Sequence, residues 1–447
     1  MALSMVSCSQ PGGAPTTSAP APSSTSPGAT TTAPKTVIDF WLAPLEEAPT
    51  AWWNKYVDLY NQTNTDNVTI NLQYVPTDAW DAKLKAAQAT GTAPQLAYVN
   101  HASAIKGAPQ GLYLPLNDYL DMAKLGDLYP NVKDMITVGG KVYSIPMYTE
   151  PYQVLFYRKD LFTAAGLDPN APPKTWTDLL TDAKALTKGD TFGLAIAGSG
   201  DQGWVNWAWE AAIGLNMISD DWSKSTVVNQ TSKDYLAFTK SLYDAGVVPP
   251  QALSAYWDIQ PLVDGRVAMQ FNGSWAISRI MVDFKDTIDP NVIGIALPPT
   301  PNGIKPGDPV GALGGYGLAI DGKAKDPQLV ANFIAWLLLG DPSYLAEFMS
   351  ANYFSKFSVR QSVDAALQSV TTNKVTDWFN LISQQVTPYS KPEPIYPWDV
   401  DVAFSNAMDN VVVNGMSVDD ALAQADKDIN DYIANNNVAG TNPRAPK

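Results

Sequence analysis

Apolar residues recur along the chain with two periods, about 2 and about 3.6, and the two alternate. Thr36–Trp41 (TVIDFW) is a short apolar run that predicts a buried strand. Val68–Val75 (VTINLQYV) alternates apolar and polar residues, as a half-buried strand does. Between them, Ala51–Tyr60 spaces its apolar residues as one face of a helix. Asp78–Ala89 predicts a second helix, with Asp78 as N-cap and Gly91 as stop signal. Leu96–Val99 closes the series as a short strand. Strand, helix, strand, helix, strand implies a parallel sheet covered by helices, an α/β fold.

The same pattern continues downstream. Gln153–Tyr157, Thr191–Ala197, Val267–Phe271 and Gly317–Ile320 read as strands. Thr175–Leu186 reads as a helix capped by Thr175, with Asp178 three residues on as its reciprocal acid. Pro327–Leu339 starts a helix on proline, and Val418–Asn435 is a C-terminal helix. At 447 residues the chain is too long for one core, so two lobes are expected. No stretch reaches the roughly 20 apolar residues of a membrane span, and no repeat is visible.

The first 34 residues break this pattern. They carry no charge, and from Ser9 to Pro34 they are Ser, Thr, Pro, Ala, Gly and one Gln. So little apolar bulk cannot offset the entropy of folding, which predicts a disordered spacer. Before it, Met5-Val6-Ser7-Cys8 resembles the end of a bacterial lipoprotein signal, although only seven residues precede Cys8. Residues 1–35 are thus expected to be a signal remnant and spacer, with lipidation at Cys8 as the only membrane attachment.

Charge and composition then exclude several functions. Acidic residues outnumber basic ones 44 to 29, which argues against nucleic acid as a partner. His101 and Cys8 are the only histidine and cysteine, so no zinc cluster, Cys/His dyad or disulfide framework is available. No metal or cofactor is expected. Aromatics are abundant, with 14 Trp, 20 Tyr and 13 Phe. Most belong to the core, but a planar ring with one polar handle also suits a sugar, which has C–H faces and hydroxyl edges.

Several segments in order resemble the family 1 extracellular solute-binding proteins of ABC importers. Gly140–Lys188 (GKVYSIPMYTEPYQVLFYRKDLFTAAGLDPNAPPKTWTDLLTDAKALTK) is the most specific. Asp264–Ile277 (DGRVAMQFNGSWAI), Gly311–Ile320 (GALGGYGLAI) and the following PQLVANFIAWLL also match. Gln95 and Phe357–Val363 depart locally, at positions where Asp and Pro are frequent in the family. The resemblance implies a two-lobed, periplasmic-binding-protein-like fold with hinge-connected lobes and a ligand cleft. By segment order, lobe one is 36–148 plus 312–352, and lobe two is 149–311 plus 353–440. It also implies a monomer that passes a mono- or oligosaccharide to ABC transporter permease subunits.

A sugar site needs aromatic faces and polar groups that match every buried hydroxyl. Trp275, in the turn-like NGSW with Asn272, is by resemblance the stacking tryptophan. Trp204, Trp207 and Trp209 lie within six residues and cannot share one helix face. Trp204 or Trp207 is expected in the cleft and Trp209 in the core. Trp398 follows a Pro-rich loop, and Tyr316 follows Gly314-Gly315, where Gly315 lets backbone approach a ligand. Glu150, with neighbouring Tyr152, sits at the first crossing between lobes. Asn100 ends a strand, where ligands of α/β sheets bind; His101 after it reads as an exposed histidine. Glu46, next to Glu47, and Arg360 complete the candidates, each with a structural alternative as a solvated helix start or a salt bridge.

Two other functions remain open on the residues. A glycosidase needs a pair of flanking carboxylates, for which Glu150 and Glu46 could be offered. A binder of metal ions, polyamines or polyol phosphates would lack the aromatic emphasis.

Overall fold

The computed structural model describes residues 35–445, apart from 43–47, 77–78, 197–201, 256 and 368–374. Cys8, Glu46, Glu47 and Asp78 therefore lie outside the described residues. The first sheet has five strands: β1 (Thr36–Leu42), β2 (Val68–Tyr74), β3 (Leu96–Asn100), β6 (Ile145–Pro146) and β13 (Tyr316–Ile320), in the order β2-β1-β3-β13-β6. The short pair β4 (Thr137–Val138) and β5 (Lys141–Val142) forms a hairpin outside it. A second sheet has the order β11-β8-β10-β9, from β8 (Val154–Arg158), β9 (Phe192–Ala195), β10 (Val267–Asn272) and β11 (Ile293–Ala296). A third is small: β14 (Lys391–Pro392), β12 (Ala312–Gly314) and β7 (Glu150–Pro151).

The burial pattern explains why these segments are strands. In β1, Ile38, Phe40 and Leu42 are buried while Val37 and Asp39 face out. In β8, Val154 and Phe156 join one core, and Leu155 and Tyr157 join another. A strand covered on both faces reads as a continuous apolar run, and VLFY is one. In β3 the division is Leu96 and Tyr98 against Ala97 and Val99.

The parallel sheet expected from the first five elements is present, since β1 pairs in parallel with both β2 and β3. The complete sheets are mixed. β13 runs antiparallel to β3 and β6, and β8 antiparallel to β10 and β11. The reason is connectivity: β6 leaves and β13 re-enters the first sheet from the small third sheet, without the crossover helix that parallel pairing needs.

Helix boundaries follow local chemistry. Thr175 and Asp178 form the expected capping box on Trp176–Leu186. Gly91 ends Trp80–Thr90 in the left-handed conformation, φ 72°. That helix begins with Ala79 in the cap position and no side-chain cap bond. Ser417 caps Val418–Asn435, whose buried residues Ala421, Leu422, Ala425, Ile429 and Ile433 fall on one face.

Candidate ligand-binding site

The third sheet is where the chain passes between the two larger ones. β6, β7 and β8 follow one another from the first sheet into the second, and β12 leads directly into β13. β7 pairs antiparallel with β12 (Gly314 opposite Glu150), and β14 pairs in parallel with β12. The Tyr152 N–H donates to the Ala312 carbonyl at 3.0 Å, and the Glu393 N–H to the Leu313 carbonyl at 3.1 Å.

Glycine is required at this crossing. Gly315 has φ +135°, and a Cβ there would collide with the Tyr148 carbonyl. A Cβ at Gly314 would collide with the Tyr152 hydroxyl. The close approach at Gly315 is therefore to the backbone of Tyr148 and Thr149.

Side chains converge around Tyr152. Its hydroxyl donates to the buried Glu393 carboxylate, and its ring lies 5.9 Å from Trp275 and 6.0 Å from Trp207. The Trp207 indole N–H donates to Asp401 at 2.8 Å, and its ring stands perpendicular to Trp398 at 5.8 Å. Trp398 is 38% exposed and Trp275 is half-buried, so both leave ring surface open to solvent. Lys106 lies 6.0 Å over the Trp207 ring. The Tyr396 hydroxyl lies 2.7 Å from Glu210 and 3.1 Å from Asp401. One phenolic proton cannot serve both carboxylates at full strength, so the group is stable when a carboxyl carries a proton of its own.

The electrostatics agree. Burial pushes Asp401 up to about 8, against hydrogen bonds from Trp207 and Tyr396 and the Lys106 charge. Burial and the neighbouring Asp401 also push Glu210 well up. Glu393 is raised by burial, opposed by Tyr152, Asn100, Lys106 and the Ala102 N–H. Burial lowers Lys106, opposed by Glu393 and Asp401.

The remaining candidates fall around this cluster or away from it. Glu150 is buried and ion-paired with Lys356, whose ammonium lies 5.4 Å over the Tyr148 ring. Asn100 caps His101–Gly107 by accepting from the Ser103 N–H at 3.1 Å, and its amide also meets Glu393. Tyr316 stacks on Tyr98 at 4.9 Å, directly opposite Asn100 in the register. Asn272 is fully buried, and its side-chain oxygen accepts from the Gly273 N–H at 2.8 Å. Trp204 lies in helix Gln202–Ile213, but its side chain is outside the described residues. Trp209 packs in the core, edge-on to Trp176.

Two expectations change. His101 is fully buried rather than exposed, with Nε2 3.4 Å from the Tyr148 carbonyl, and burial lowers it to about 4. Arg360 takes its structural alternative: Nε donates to Asp127 at 2.6 Å, and Nη1 to the Leu338 carbonyl at 2.9 Å. The segment that carries it bridges to Leu128 through Arg360 and to Thr149 through Phe357. Conversely, Lys106, Glu210, Lys356, Glu393, Tyr396 and Asp401 were not anticipated. The available signal was KPEPIYPWDVD, a proline-restricted run at 391–401 that delivers Glu393, Tyr396, Trp398 and Asp401 together. Among the described residues, no group of three His, Cys, Asp or Glu side chains could hold a metal ion.

Two α/β sheets tied by crossing strands, with aromatic and acidic side chains gathered at the crossing, define a two-lobed solute-binding protein. The solved structures agree on the fold. The cyclic alpha-maltosyl-1,6-maltose binding protein of Arthrobacter globiformis matches with TM-score 0.71 and 22% identity, over 90% of this chain and 100% of that one. The sugar-binding protein MalE of Xanthomonas citri matches with TM-score 0.73 and 21% identity, over 90% and 98%. A family model for bacterial extracellular solute-binding proteins matches residues 43–339, and the chain belongs to that family. A probable ABC transporter-binding protein of Deinococcus radiodurans is 28% identical over 50% of this chain and 54% of that protein. A mannitol-binding protein of Pseudomonas aeruginosa is 41% identical over 18% of each chain. The chain spans about half the length of the curated relatives it matches, 54% and 60% for the first two.

Proposed function

We propose that this protein captures a mono- or oligosaccharide between two closing lobes and delivers it to the permease subunits of an ABC importer. The observation that carries the reading is the cluster at the crossing strands. Tyr152, Trp207, Trp275 and Trp398 supply ring faces, and Glu393 and Asp401 supply buried acceptors. This is the pairing that sugars need, C–H faces on rings and hydroxyls on buried polar partners. Proteins of the same fold that bind cyclic alpha-maltosyl-1,6-maltose, alpha-D-tagatose and mannotriose support it.

The lobes are 36–148 with 312–352, and 149–311 with 353–440. In support, the five-stranded sheet draws all its strands from the first set and the four-stranded sheet all of its strands from the second. Within the site, Tyr152, Trp207, Trp275 and Trp398 stack on ligand, while Glu150, Asn100, Tyr316 and Asn272 shape its walls. Gly315 permits the crossing, Trp204 and Glu46 are further ligand-binding candidates from the sequence, and Arg360 is structural. The protein acts as a monomer outside the cytoplasmic membrane, tethered by lipid at Cys8, and binds without turning its ligand over. Glu150 as a catalytic acid is disfavoured by its ion pair with Lys356. Titrating tryptophan fluorescence with mono- and disaccharides tests the binding claim. A saturable change is expected; a response to metal ions or polyamines alone would overturn it.

A further inference from the structure

Helix His101–Gly107 presents one cation to the cluster at the crossing strands. The Asn100 cap fixes its first turn, and His101, Ala102, Ala104, Ile105 and Gly107 bury its inner side. The Ala102 N–H donates to the Glu393 carboxylate at 3.4 Å, so the helix lies against the acidic part of the cluster. Lys106, in the last turn, is half-buried, and its ammonium stands 6.0 Å over the Trp207 ring. That is the outer limit of a cation–ring contact. Lys83, by comparison, stands 4.2 Å over Trp41.

Among the described residues, the Lys106 nitrogen makes no hydrogen bond or ion pair. Glu393 and Asp401 attract it from a distance, but both already hold other donors. Glu393 takes the Tyr152 hydroxyl and the Asn100 amide, and Asp401 takes the Trp207 indole and the Tyr396 hydroxyl. An ammonium has three donors and no acceptor, and withdrawing it from water without an acceptor is costly. A hydroxyl is the group that completes this arrangement. Its oxygen accepts from Lys106, while its own proton goes to a spare lone pair of Glu393 or Asp401. A cationic solute has no acceptor to offer and meets a like charge. An anionic oxygen accepts from Lys106 but has nothing to donate to the carboxylates.

We propose that Lys106 is a ligand-contacting residue, which donates to a hydroxyl oxygen of a neutral solute and bars cationic solutes from the cluster. The inference rests on the reading of this cluster as the ligand site, but not on the solute's being a sugar. Loss of one charge-assisted hydrogen bond lowers affinity by about tenfold or more.

The test is made on the full chain. Its lysines are converted to 13C-dimethyl-lysines, which keep their charge and one donor, and the Lys106 resonance is identified by its loss in Lys106→Arg. That resonance is followed during titration with maltose, mannotriose, mannitol, myo-inositol and spermidine. Heats of binding are measured in parallel on the unmodified chain and on Lys106→Met. At least one hydroxyl-bearing probe is expected to move the resonance, and Lys106→Met to raise the dissociation constant of that probe about tenfold at an unchanged melting temperature. The proposal is overturned by binding that leaves the Lys106 resonance or the Lys106→Met affinity unchanged, by a resonance that spermidine moves, or by no response to any of the five probes. A response confined to myo-inositol would sink the sugar reading and leave the role of Lys106 standing. Sugar binding with an unmoved Lys106 resonance would do the reverse.

Discussion

Asp401 makes the most quantitative prediction. It is fully buried between helices, accepts from the Trp207 indole and Tyr396 hydroxyl, and is raised by burial from 3.8 to about 8. The folded state therefore keeps a proton that the unfolded chain releases near pH 4. Stability must fall as pH rises through that window, by up to about 1.4 kcal/mol per pH unit, and level off above pH 8. His101 acts in the opposite sense. Burial lowers it from 6.5 to about 4, so the unfolded chain alone binds its proton between these values and stability rises with pH there. The two effects oppose each other up to about pH 6.5; from there to pH 8 the Asp401 slope is unopposed by His101, and Glu210, raised in the same sense, adds to it. Over that interval the Asp401 part amounts to about 2 kcal/mol. Asp401→Asn copies the protonated form and retains an acceptor for Trp207. It is expected to match the wild type at pH 5 and to exceed it by about 4 kcal/mol at pH 8, because the His101 effect is common to both and cancels. Urea unfolding at pH 5, 6.5 and 8, with equal m-values, measures this. Parallel pH profiles for variant and wild type between pH 6.5 and 8 would refute the reasoning, because Asp401 would then be ionised in the folded state.

Further outcomes follow from other positions. Gly315→Ala puts a Cβ onto the Tyr148 carbonyl at φ +135° and should cost about 3 kcal/mol or more in chemical unfolding. Thr175→Ala removes one half of the capping box and should cost about 1 kcal/mol, with sugar affinity unchanged. Trp275→Ala should weaken sugar affinity by about 2 kcal/mol, roughly 30-fold, while the circular dichroism spectrum stays as in the wild type. An unchanged dissociation constant removes Trp275 from the site.

Much of the fold is legible in single segments because burial writes directly on the sequence. VLFY in β8 is apolar throughout because both faces are covered, and Thr175 with Asp178 announces its helix start by a local bond. Strand direction is less legible. The antiparallel β13 depends on where the crossing strands return, not on residues within it. The site divides in the same way. Tyr152 and Trp275 lie beside recognisable crossing and turn motifs. Glu393 and Asp401 come from a distant segment and meet Tyr152 and Trp207 only in the folded chain. Arg360 shows the converse: an arginine after a strand-like run looks available for ligand, yet Asp127 and two backbone carbonyls occupy it. His101 reads as exposed in the sequence because nothing in NHAS tells that the helix start is buried against the Tyr148 carbonyl.

The central claim is capture of a sugar between two lobes. Isothermal titration of the purified protein with maltose, maltotriose, mannobiose, mannotriose and mannitol, alongside spermidine, zinc and glycerol 3-phosphate, tests it most directly. The account predicts saturable one-to-one binding of at least one carbohydrate, lost in the Trp207→Ala and Trp275→Ala double variant. Saturable binding confined to spermidine, zinc or glycerol 3-phosphate would contradict it.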